Sequence, residues 1–70
     1  MTTEQIHKIK ERAKEQRITY PQWRAGQSIF NAAFELYPYQ ADQIRSTFHD
    51  CFYDDLRIEE FLNALERLDK

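Results

Sequence analysis

The stretch from Pro21 to Tyr37, PQWRAGQSIFNAAFELY, constrains the fold more than any other part of the chain. Wound as an α-helix at about 100° per residue, it gathers Arg24, Gln27, Ser28, Asn31 and Glu35 on a polar strip about 100° wide. Trp23, Gly26, Phe30, Ala33, Phe34 and Tyr37 recur at helical spacing on one side, and Ala25, Ile29, Ala32 and Leu36 line the adjoining side. An ordinary surface helix carries one apolar stripe. An arc of about half the circumference demands several packing neighbours. The stretch therefore predicts a long central helix over residues 21–37 in a compact all-α domain of three or four helices.

The chain has 70 residues, which allows one domain over residues 1–70 and places it near the lower size limit for an unaided core. A single Cys permits no disulfide within the chain, and two His with one Cys fall short of a four-ligand zinc site. No metal or other cofactor is expected. Stability must come from packing, for which ten aromatic residues supply the area. Self-association is the natural supplement where those rings do not suffice. The lone Cys51 and the lack of a signal peptide point to a reducing, cytoplasmic setting. No apolar run approaches the length of a membrane span.

Around the central stretch the remaining segments read as follows. Thr2-Thr3-Glu4-Gln5 forms a capping box ahead of a first helix whose thin apolar stripe is Ile6, Ile9, Ala13 and Ile18. Thr19 and Pro21 supply start signals for the central helix. Gly26, the sole Gly, costs about 1 kcal/mol against Ala inside a helix. Close approach of another helix, or of a ring such as Phe52 or Tyr53, is the expected reason for it. Pro38 stops the central helix and starts a short one with Ala41, Ile44 and Phe48 inside. Residues 47–55, TFHDCFYDD, lack helical periodicity. A last helix begins near Asp55 as N-cap, with Ile58, Phe61, Leu62, Leu65 and Leu68 as its stripe.

Net charge is −2, but its distribution is uneven. Residues 1–24 carry six Lys or Arg against three Glu, and residues 25–70 carry four against nine acids. Lys8, Lys10, Arg12, Lys14 and Arg17 form a basic arm that could contact phosphates. Glu4, Glu11 and Glu15 interrupt it, so a solvated face or pairing with the acidic remainder is the stronger reading. His49, Asp50, Cys51, Asp54 and Asp55 invite an active-site reading. Neither an oxyanion-hole motif nor the alternation of a calcium loop accompanies them, and capping by the Asp residues accounts for the cluster. No enzyme is expected.

Trp23-Arg24 brings together two residue types that dominate binding hot spots. With Gln27 and Asn31 they form the candidate binding surface. Arg45, Asp54 and Asp55 join the candidates because an ion pair from Arg24 or Arg45 to Asp54 or Asp55 would pin the following loop to the central helix. The alternative reading makes Trp23 a core residue and the strip a plain solvent face.

Residues 23–62 carry the pattern Trp23-Arg-x-Gly26-Gln27-x-x-Phe30-Asn31, then Pro38, Ile44-Arg45 and Asp50-x-Phe52-Tyr53-Asp54-Asp55-x-Arg57-Ile58-x-x-Phe61. This resembles a family of short proteins of unknown function encoded by bacteriophages and prophages. The resemblance covers rather more than half of the chain and brings no established activity with it. It implies residence in the host cell cytoplasm and action by occupying a protein partner, for instance a host defence or regulatory factor. The family pattern has Pro where Cys51 stands, which argues against a required thiol. Residues before Trp23 fall outside it. A small nucleic-acid-binding regulator using the basic first helix is the alternative.

Overall fold

The computed structural model describes residues 1–45 and 55–68. Among them are four α-helices and no strand: α1 (Thr3–Thr19), α2 (Ala25–Leu36), α3 (Pro38–Ile44) and α4 (Ile58–Leu68), the last preceded by a 3₁₀ turn, Asp55–Arg57. The all-α expectation is met. Helix α2 packs against α1, α3, the 3₁₀ turn and α4, which makes it the centre of the domain. It is shorter than expected, and the 17-residue α1 is the longest element.

The first helix begins as its sequence dictates. Thr2 Oγ1 accepts the Gln5 N–H at 3.1 Å and Gln5 Oε1 accepts the Thr2 N–H at 2.8 Å, so two orphan amides are satisfied reciprocally. Ile6, Ile9 and Ala13 are buried, whereas Ile18 is 82% exposed and leaves the stripe. The stripe continues instead through Gln16, a buried polar residue whose amide donates to Glu35 at 3.1 Å.

Helix α2 starts four residues later than expected. The Tyr20 N–H closes α1 on the Gln16 carbonyl, and the Trp23 N–H then turns back onto the Tyr20 carbonyl at 3.0 Å. Those two bonds spend residues 20–23 on a turn, and Arg24, in extended conformation, becomes the N-cap residue. Trp23 therefore lies off the helix and its place on the apolar arc lapses. The buried arc is also rotated by about 40°. Ser28, assigned to the polar strip, is fully buried, while Phe34, assigned to the apolar side, is 37% exposed, and Leu36 of the adjoining side is likewise exposed at the last position of the helix. Contact with α1 causes the shift: Ser28, Ala32 and Glu35 share a row on α2, and Glu35 at its end is held by Arg12 and Gln16 of α1.

The core joins all four helices. Phe61 and Leu65 of α4 are fully buried, and the Phe61 ring lies 5.6 Å from that of Phe30 on α2. Ala32 and Ala33 of α2 and Ala41 of α3 are fully buried, and Ile44 of α3 is buried with them. Ile58, Leu62 and Leu68 pack half-buried around it. Pro38 occupies the first turn of α3 as expected, where its missing N–H costs nothing. Met1 is buried, and its ammonium donates to the carbonyls of Leu65 at 3.2 Å and Glu66 at 3.0 Å. A positive charge thus sits at the negative end of the α4 dipole. No helix of the described residues is long and apolar enough to cross a membrane.

Candidate functional site

Three of the residues singled out in the sequence, Trp23, Arg24 and Asp55, lie at the N-terminal end of α2. Arg24 makes no side-chain cap for the helix it precedes. The acceptor comes from 29 residues further along: Asp55 Oδ1 receives the Gly26 N–H at 2.9 Å. Gly26 is the second residue of α2, so Asp55 takes the place that an N-cap side chain would fill. The carboxylate also sits where the helix dipole is positive. Arg24 Nε lies 3.8 Å from the same Oδ1, an ion pair with both side chains roughly half exposed. Among the pairings considered from sequence, Arg24 with Asp55 is the one that forms among the described residues.

Gly26 is buried where the Asp55–Arg57 turn meets α2. Phe52 and Tyr53, the rings expected to approach it, lie outside the described residues. Asp55 was expected to cap the last helix. It caps the central one instead, because the 3₁₀ turn places it across from α2 before α4 begins at Ile58.

Trp23 is half-buried and stacked on Tyr20, with ring centroids 4.4 Å apart and planes inclined by 11°. Tyr20 is the residue of this pair that sequence reasoning misses: it stands just before Pro21, where extended dihedrals are favoured, and nothing local points to its ring partner. Gln27 and Asn31 are half-buried on the outer side of α2. Their strip is no continuous free surface: Ser28 is buried, Glu35 is engaged by α1 and Arg24 is drawn to Asp55. Arg45 lies away from this end, at the C-terminus of α3, with its guanidinium 5.5 Å from the centre of the Phe34 ring. Asp54, with His49, Asp50, Cys51, Phe48, Phe52 and Tyr53, lies outside the described residues.

The basic arm of α1 is partly neutralised within the chain. Arg12 donates to Glu35 at 2.8 Å and to Glu15 at 3.2 Å, and Lys14 donates to Glu11 at 3.3 Å. The hydrogen bond donated to Glu35, followed by that donated to Glu15, raises the pKa of the Arg12 guanidinium above its ordinary value.

Comparison with protein-family models, with curated proteins and with solved structures gives no match to this chain.

Proposed function

We propose that this chain is a small non-enzymatic binding module of phage type that acts by occupying another protein. A host defence or regulatory factor is the natural class of target. The observation that carries the reading is the stacked Tyr20–Trp23 pair beside exposed Arg24. Aromatic rings held in one orientation lose little conformational freedom on docking, and Trp, Tyr and Arg are the side chains enriched at hot spots. The turn that presents them is closed by the Trp23 N–H on the Tyr20 carbonyl, and the Asp55 cap holds the start of α2 that follows it. The phage assignment is supported by the Trp23 to Phe61 sequence pattern alone.

Nucleic-acid binding through α1 is the competing reading. It is weakened because two of the five cations of the arm, Arg12 and Lys14, already face carboxylates of this chain.

The test is affinity capture from bacterial host lysate with and without nuclease. A host protein recovered in both conditions, and bound ten-fold or more weakly by Trp23→Ala with its helix content intact, supports the proposal. Recovery that disappears with nuclease favours the competing reading, and unchanged affinity in Trp23→Ala removes the aromatic pair from the interface.

A further inference from the structure

A second surface lies on the seam of α1, α2 and α4. There a groove of about 290 Å³ has an apolar lining that includes Ala25 and Ile29 of α2 and Ile58 and Leu62 of α4. Every cation on its described lining, Lys10, Lys14 and Arg17, comes from α1. The α4 side carries the opposite sign. Glu59 and Glu66 are exposed, and they stand three residues before and four residues after Leu62, the spacings at which helix side chains are neighbours.

An apolar groove with one basic and one acidic flank is complementary to itself. We propose that it is the interface of a homodimer, whose two-fold axis runs along the groove between α1 and α4. That axis exchanges the two flanks, so Lys10 of each copy meets Glu59 and Glu66 of the other, and Lys14 joins it by giving up its solvent-exposed contact with Glu11. The same contact occurs twice, as an isologous interface requires. A two-fold axis lying across the groove would set cations on cations and is disfavoured. Between the charged flanks, Ile29, Ile58 and Leu62 of both copies face each other. A foreign acidic segment would satisfy the α1 flank but would leave Glu59 and Glu66 opposed to like charge, which favours the second copy as occupant. This dimer does not depend on the Tyr20–Trp23 surface and can fail or stand separately from it.

Sedimentation of the full chain tests it by charge exchange. The wild type is expected to dimerise, whereas Lys10→Glu/Lys14→Glu and Glu59→Lys/Glu66→Lys should each dissociate at least ten-fold more readily. All four positions are exposed, and circular dichroism checks that each variant is helical. Should a double variant lose its helix, the single Lys10→Glu and Glu59→Lys changes replace it. An equimolar mixture of the two variants should recover a dimer, since each flank again faces its opposite. A wild type that is monomeric at ~100 μM, a concentration at which even a weak dimer is populated, overturns the proposal. So does a mixture that remains monomeric.

Discussion

Helices α1 and α2 lie side by side, yet their N-termini are finished in opposite ways. Thr2 and Gln5 close the start of α1 with side chains three residues apart. The start of α2 has no cap of its own and borrows Asp55 from across the fold. A local cap forms as soon as the first turn forms, whereas a borrowed cap exists only when the 3₁₀ turn has docked. The second arrangement therefore couples the central helix to the segment before α4, so that loss of either loosens the other.

That comparison presupposes one core shared by the helices, and the largest effect is expected there. Phe61→Ala should cost about 3–5 kcal/mol, the usual range for removing a buried ring, and should melt both helix starts together. A transition within a few degrees of wild type would take Phe61 out of the core and leave α2 independent of α4.

Asp55→Ala comes next. It removes a cap, worth about 1–2 kcal/mol. At about 4–8 °C per kcal/mol for a domain of this size, the melting temperature should drop measurably. Asp55→Asn keeps an acceptor for Gly26 and should recover part of the loss. Amide exchange at Gly26 should accelerate in the Ala variant while exchange at Gln5 does not. Equal acceleration at both sites would erase the distinction between local and borrowed caps.

Thr2→Ala should show the smallest change, about 0.5–1 kcal/mol, because the capping-box bonds are solvent-exposed and their loss leaves Met1 anchored on the α4 carbonyls. Fraying should be confined to the first turn in amide exchange. A loss as large as that of Asp55→Ala would show that the start of α1 is coupled to the fold as tightly as the start of α2.

Much of this contrast was legible beforehand. The Thr2 capping box, the Pro38 start of α3 and the stripe of α4 are signals whose donor and acceptor, or whose repeat, fall within a turn or two of sequence. The Trp23 position was misread for the converse reason. Pro21 and Thr19 are acceptable helix starters, so propensity favours a helix from residue 21. The turn closed by the Trp23 N–H on Tyr20, with the ring stack it allows, outweighs that preference. Nothing within residues 20–26 reveals that an aspartate near the C-terminal helix will supply the missing acceptor. The candidate residues Trp23, Arg24 and Asp55 were nevertheless named from sequence, since residue type alone marks them as hot-spot or pairing groups.

Periodicity by itself determined that this chain is all-α, that residues around Phe30 form its centre and that Phe61 and Leu65 face inward, because a 3.6-residue repeat fixes which side chains share a face. Periodicity could not fix the edge of that face. A helix with half its circumference apolar can rotate by about 40° at little cost in buried area, and the packing of α1 chose the rotation that buries Ser28 and exposes Phe34. The tertiary structure alone also decided which helix Asp55 caps and which charges α1 leaves unpaired. Those outcomes depend on distances between segments far apart in sequence, and such distances exist only once the helices have packed.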